Sequence, residues 1–510
     1  MAEPTEPNDR APAKQFDSAN TRLGLGFRSL WPESVTLGVF AAVVAYAIPF
    51  HEPWADEAQA WELARTLPLS ELFGKYIHYE GSPGLWHFLL WTLNRAHVSY
   101  AGMHWVCGAI AVASTSLLIF KSPFPRYLRL ALPFIYALIF QDALVARSYV
   151  LVPPCLFLIA MWWKKRPMSV ALALGLLANL SLHAAVISGA LAIVYLVEQV
   201  RKSDARGSGS RRRLIVFSLI LLPFYGFAIW CARPPRDMAY YLAGIRGQSH
   251  SFMGFALKAL LWPMCQPMLL SIIFWIAIIL CLKARRRLIF LLPVLFFAVF
   301  SGEVLAAWWH AALLPPVLLC ILWITWPENL GKLPRYELFC RVALMVMAAT
   351  QIAWAAYALG FDHASNFSPD RATAEFLKPY VEQNATIVVT YLNEPPANNA
   401  CREVGIQPYF EHNIFANLSH SFWWWSDTSP AERNFDALLP SHPRVIVAED
   451  VNLRERQPVL TGNSRILMLS NAGYTLTNVF CGTMPERLEP GPTSCHLIFQ
   501  YLDGKNPSAR

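Results

Sequence analysis

Charge is what this sequence has least of. Only 15% of its 510 residues are Asp, Glu, Lys or Arg, while 55% are hydrophobic. A soluble chain of this size needs more charge to cover its surface, so a wholly soluble protein is excluded. The ten cysteines form no CxxC and no Cys/His pair, so no zinc site is legible. Internal repeats are missing too. Residues 1–33 lack the basic segment, apolar core and small-residue cleavage site of a signal peptide. They read as a disordered cytoplasmic tail, followed by an uncleaved membrane anchor.

What is present is alternation. From Ser34 to Phe361 long apolar runs are separated by short basic clusters, and after Asp362 acids outnumber bases. The net charge of +8 therefore comes from the first part. It reflects membrane topology, not nucleic-acid binding. A bilayer core takes roughly 20 residues of helix. The candidate spans are Ser34–Phe50, Tyr100–Phe120, Tyr127–Leu144, Tyr149–Trp163, Met168–His183, Ala184–Val200, Leu214–Cys231, Gln266–Leu282, Leu288–Phe300, Ala311–Trp326 and Tyr336–Leu359. Pro83–Leu93 is apolar but too short to span. Basic clusters should face the cytoplasm. The clusters Lys121–Arg129, Lys164–Arg166, Arg201–Arg213, Lys283–Arg287 and Lys332–Arg335 all do so if Pro83–Leu93 is left outside the count. The expectation is a polytopic α-helical membrane protein with about 11 transmembrane helices over residues 34–360. A mixed α/β soluble domain over 361–510 would then be periplasmic.

Three regions fall on the outer face in this topology. The first is the loop 51–99. The second runs from Ala232 to Trp262 and carries Arg233, Arg236, Asp237, Tyr240, Tyr241, Arg246 and His250. The third is the C-terminal domain. There Ser368-Pro369 predicts the start of a helix ending near Gln383. Strands are expected at Thr386–Leu392, Arg444–Ala448, Arg465–Ser470, Tyr474–Cys481 and Cys495–Leu502. The domain shows no nucleotide loop and no hydrolase motif. Phe422–Trp425 reads as packing or an interfacial belt before it reads as a sugar platform. Cys401, Cys481 and Cys495 lie in this domain, and Cys481 and Cys495 could pair or stay free. The other cysteines sit in or beside apolar helices as small buried residues.

The residues with chemistry gather at these outer junctions. The first loop opens with HEPWADEAQAW, where Asp56 and Glu57 start a helix. They could simply cap it. A carboxylate at a membrane surface is also partly desolvated, which suits a general base. The same loop ends in HYEGSPGLWHFLLW, where Glu80 precedes a Gly-Ser-Pro-Gly turn that would fold it back towards Asp56, with His78 and His87 nearby. Arg147 lies at an apolar helix junction, which is costly unless it meets an anion: a lipid headgroup, Asp142 or a substrate phosphate. His183 ends the fifth candidate span, and Glu303, Trp308, Trp309 and His310 lie between the ninth and tenth.

Together these elements resemble the GT-C superfamily of membrane glycosyltransferases. The likeness is to bacterial members related to protein mannosyltransferases and the lipid A aminoarabinose transferase. It rests on the acidic pair after the first span, the later Glu80 before a turn, the junction Arg147 and the outer C-terminal domain. The sequence departs from the pattern in having Ser82-Pro83 for His-Pro and Trp309-His310 for Arg-His. The resemblance implies an inverting enzyme of the inner membrane that takes a sugar from a polyprenyl-phosphate donor. Asp56 and Glu57 would be catalytic. Glu80, Arg147, His183, Trp309 and His310 would bind substrate. The acceptor would be a glycan, lipid or protein, with no cofactor. A metal is not required, though the acids Asp56, Glu57 and Glu80 in one loop leave a divalent ion open. A flippase for lipid-linked sugars or an inactive envelope scaffold are the other readings.

Overall fold

The computed structural model describes residues 30–203, 208–238, 251–304, 308–327, 334–392, 402–424, 435–453 and 464–501. The expected tail up to residue 29, together with Tyr240, Tyr241, Arg246, His250, Cys401 and Trp425, lies outside them.

The chain forms a helical bundle. Its helices are α1 (Trp31–Ala47), α2 (Ala55–Thr66), α3 (Leu85–Arg95), α4 (Tyr100–Lys121), α5 (Val152–Trp162), α6 (Pro167–Ala178), α7 (Leu182–Ser203), α8 (Ser208–Ala232), α9 (Phe252–Leu261), α10 (Met268–Ala284), α11 (Leu292–Glu303), α12 (Leu314–Thr325) and α13 (Arg335–Ala364). Among the described residues, four helices are long and apolar enough to cross a membrane and seven shorter ones are apolar. Phe157, Phe274, Phe290 and Phe297 fill the interior, while Leu222, Ile229, Leu269 and Leu295 are more than half exposed. An apolar outside around an apolar inside is the surface a lipid environment selects. The protein is a multi-pass membrane protein.

Three segments depart from expectation. Tyr127–Leu144 is not one helix. It is a short turn at Arg126–Ala131, a 3₁₀ turn at Leu132–Phe134 and a π turn at Ala137–Gln141. Pro133 has no N–H to continue the helix, and this irregular backbone is shielded by buried Leu132, Ile135 and Phe140. Phe252–Leu261, read as outer loop, is the apolar helix α9, started by Ser251 accepting from the Gly254 N–H at 3.1 Å. The fifth and sixth candidate spans divide at Asn179–Ser181. The Ser181 hydroxyl accepts from the Ala184 N–H, so His183 begins α7 instead of ending the preceding helix. Pro83–Leu93 becomes the short amphipathic α3, with Trp86 and Leu90 buried and Phe88 exposed. At about 1.5 Å per residue it falls well short of the bilayer core.

The C-terminal domain has helix α14 (Asp370–Glu382) against a four-stranded sheet of order β1-β2-β4-β3. Strand β1 (Ile387–Tyr391) pairs parallel with β2 (Val445–Leu453). Strands β3 (Tyr474–Glu486) and β4 (Glu489–Tyr501) form a hairpin whose facing Cys481 and Cys495 are disulfide-bonded. The expected strand Arg465–Ser470 is instead helix α15 (Ser464–Asn471). Gly473, at φ +88°, supplies the left-handed stop that ends it. The domain rests on the first loop. Arg371 donates to the Pro49 and His51 carbonyls, Arg65 to the Phe410 carbonyl, and Gln59 and Trp423 exchange hydrogen bonds. Phe422 and Trp424 pack edge-on to Tyr76, so this aromatic run serves the domain contact.

Candidate active site

Helix α2 starts at Ala55, and adjacent residues on a helix point about 100° apart. Asp56 and Glu57 therefore face different surroundings. The Asp56 side chain is 44% exposed and that of Glu57 is 0% exposed. Glu57 accepts from the Trp54 N–H at 3.2 Å, the Ala146 N–H at 2.6 Å and His104 Nε2 at 3.0 Å. Burial alone would raise its pKa, but His104 and His51 outweigh burial and hold it at about 2. Behind it, His51 Nδ1 lies 2.9 Å from Asp362 Oδ2. Burial would push His51 down, yet Asp362 and Glu57 raise it to about 10. Glu57 is thus a locked anion that fixes the first turn of α2. A carboxylate so weakly basic and so enclosed is poorly suited to take a substrate proton.

Asp56 points the other way. Its Oδ2 lies 3.1 Å from Arg147 Nη1. Arg147 follows the π turn, where a 2.9 Å bond from its N–H to the Val145 carbonyl turns the chain. Its guanidinium lies 5.5 Å from the Trp54 ring and 5.1 Å from Tyr149, close enough for cation–π attraction. The carboxylate on Arg147 is therefore that of Asp56, where the sequence had also offered Asp142. From this pair a path of rings runs across the bundle. Trp54 meets Trp309 edge-on at 5.4 Å, Tyr149 meets His310 at 6.2 Å, and His310 stacks on His183 at 4.4 Å. Asp56, Arg147, Trp309, His310 and His183 are brought together along one connected path.

Glu80 returns to α2 as its turn predicts, with Gly81 at φ +60°. Its Oε1 accepts from Gln59 Nε2 at 3.0 Å, and its Oε2 lies 3.7 Å from His87 Nε2. Gln59 stands one turn after Asp56 on the same helix face. His78 does not join the site. It meets the Cys231 carbonyl at 3.2 Å and packs edge-on to Trp230. Glu303 ends α11 exposed, and the side chain of Trp308 lies outside the described residues.

Sequence reasoning missed Trp54, Tyr149 and Gln59, each within three positions of a residue it named. It also missed His51, His104 and Asp362. A lone His in an apolar helix carries no local signal of a partner.

Among solved structures the chain is similar to ArnT from Cupriavidus metallidurans, a crystal structure bound to undecaprenyl phosphate. The match covers 93% of this chain and 99% of that one, with a TM-score of 0.51 and 12% sequence identity. The chain has the ArnT fold. The likeness spans bundle and sheet domain together, so the expected polytopic helical architecture with a C-terminal mixed α/β domain is met. No protein-family model and no curated protein matches the sequence.

Proposed function

We propose that this protein is an inverting glycosyltransferase. It would move a sugar from a polyprenyl-phosphate donor to an acceptor hydroxyl at the outer face of a bacterial inner membrane. The supporting observation is the pairing of a half-exposed Asp56 with Arg147, set in the fold of a protein solved with undecaprenyl phosphate. The arginine fork matches a phosphate, and on donor binding the phosphate shares or replaces Asp56 as its anion. The released Asp56 then takes the acceptor's hydroxyl proton. The acceptor oxygen attacks the anomeric carbon opposite the phosphate. The carbon–oxygen bond to phosphate breaks, and its electron pair leaves on the polyprenyl phosphate, whose charge Arg147 stabilises. Trp309, His310 and His183 wall the sugar's side, and Glu80 and Gln59 hold the acceptor side.

A lipid-linked sugar flippase would use broken helices at membrane depth, and the segment 126–141 is such a break. That break, however, leads into Arg147, which pairs with the half-exposed Asp56 on the first turn of α2. The purified protein should transfer radiolabel from one of a panel of polyprenyl-phosphate sugars to membrane extract. Movement of the donor across vesicles without any new glycosidic bond would favour the flippase.

A further inference from the structure

We propose that His51, Glu57 and His104 bind one divalent transition-metal ion of the zinc class, with Asp362 orienting His51. The ligand atoms of the three residues all lie within 4.8 Å of one another, and all three residues are buried. This site lies behind Asp56, on the other side of α2's first turn, and is independent of the glycosyltransferase reading.

Proton placement carries the argument. A carboxylate oxygen only accepts hydrogen bonds. The 2.9 Å contact therefore places the proton of His51 on Nδ1, facing Asp362. In a neutral imidazole that leaves the Nε2 lone pair aimed at Glu57. Nε2 has no hydrogen-bond partner among the described residues, and His51 is 1% exposed. The 3.8 Å from Nε2 to Glu57 Oε1 is too long for a hydrogen bond. It suits two atoms on either side of one ion. With metal–ligand bonds of about 2.0–2.2 Å, tetrahedral ligands lie roughly 3.3 Å apart. His104 Nε2, 3.0 Å from Glu57 Oε2, completes the set.

The surroundings are those a metal site uses. Metal-bound histidines commonly give their second N–H to a carboxylate, as His51 does to Asp362. Two buried carboxylates also need two positive charges nearby. One divalent ion with neutral imidazoles supplies both. Without an ion, Asp362 and Glu57 favour a proton on His51. A bound ion would displace the protons from both imidazole nitrogens that face Glu57. The rival is that these protons stay. It would leave the His51 Nε2–H facing an acceptor beyond bonding distance. The ligands come from the end of α1, from α2 and from α4, with Asp362 from α13. A bound ion would pin the turn that aims Asp56.

The full-length chain, purified in detergent with a tag free of histidine and without chelators, should carry about one zinc-class ion by elemental mass spectrometry. His104→Ala and His51→Ala should lose it, and Asp362→Asn should bind it roughly 10–100-fold more weakly. Chelation of the wild type should lower its unfolding temperature, and added Zn2+ should restore it. This arm needs no variant to fold. A metal-free wild type whose unfolding ignores both chelator and Zn2+ overturns the proposal. So does a folded His104→Ala that keeps a full ion.

Discussion

The two ends of the bundle handle arginine and carboxylate differently. At one end Glu33 accepts from Arg126 Nε and Arg129 Nη2, both at 2.9 Å. Arg285 forks onto Glu337 with two 2.6 Å bonds, and Arg287 meets Glu198. In each pair the carboxylate is at most 8% exposed. Helices α1, α4, α7 and α13 connect this end to the other. They run between Glu33 and the His51 junction, Lys121 and His104, Glu198 and His183, and Glu337 and Asp362. At that other end a single Arg147 meets a single oxygen of a half-exposed Asp56. The closed pairs bury their carboxylates and act as staples. The open pair differs in its carboxylate, which is 44% exposed, so Asp56 can give way to an incoming anion at Arg147. The chemistry is shared, and exposure decides whether it holds structure or serves a substrate.

The sharpest way to break this comparison is to neutralise one acid at each end. Asp56→Asn keeps size but cannot accept a proton. Transfer should fall by about 100-fold to 10,000-fold with the unfolding temperature unchanged. Glu337→Gln should do the reverse. It strands a buried Arg285, costing about 3–5 kcal/mol of stability, while folded protein keeps its turnover. Radiolabel transfer and thermal unfolding of both variants check the pair. An active Asp56→Asn would make the acidic pair structural.

This asymmetry was only partly legible in the sequence. Lipid forces apolar runs and basic ends, so the bundle could be read from Ser34 to Phe361 without coordinates. Pro133 broke one span unseen, because the run around it stays apolar whatever its backbone does. In SRILMLSN the consecutive apolar residues satisfy strand and helix periods alike, and only the stop at Gly473 separates them. Asp56 and Arg147 stood out because polar residues at apolar junctions are costly. That Asp56 faces out and Glu57 in is a matter of helix phase against α4, which one sequence does not encode locally.

The site end also holds a closed acid, and pH sharpens the contrast. Glu62, two turns beyond Asp56 on α2, is buried and receives Arg65 Nη2 at 2.7 Å. Burial raises its pKa to about 7, and Arg65 offsets only part of this. A carboxyl raised in the folded state contributes its full stability below the unfolded value near 4.5. That contribution falls as pH rises to about 7 and is flat beyond. The change is on the order of 3 kcal/mol. The unfolding temperature should therefore fall between pH 4.5 and 7, and Glu62→Gln should flatten that slope. An unchanged slope in Glu62→Gln would assign the titration elsewhere.

The smallest expected effect tests whether Arg147 belongs to the open class at all. Its neighbours Trp54 and Tyr149 would hold a cation at this place whether or not a phosphate ever arrived. If it binds donor, Arg147→Ala removes charge-assisted bonds worth about 2 kcal/mol, or roughly 30-fold in kcat/KM for the donor. Arg147→Lys keeps the charge but not the planar fork, so it should recover only part of that loss. The loss should appear mainly as weaker donor use, because Asp56, freed of its partner, can still accept a proton. Equal kinetics for wild type and a stable Arg147→Ala would place this arginine with the staples, holding two aromatic rings and no substrate.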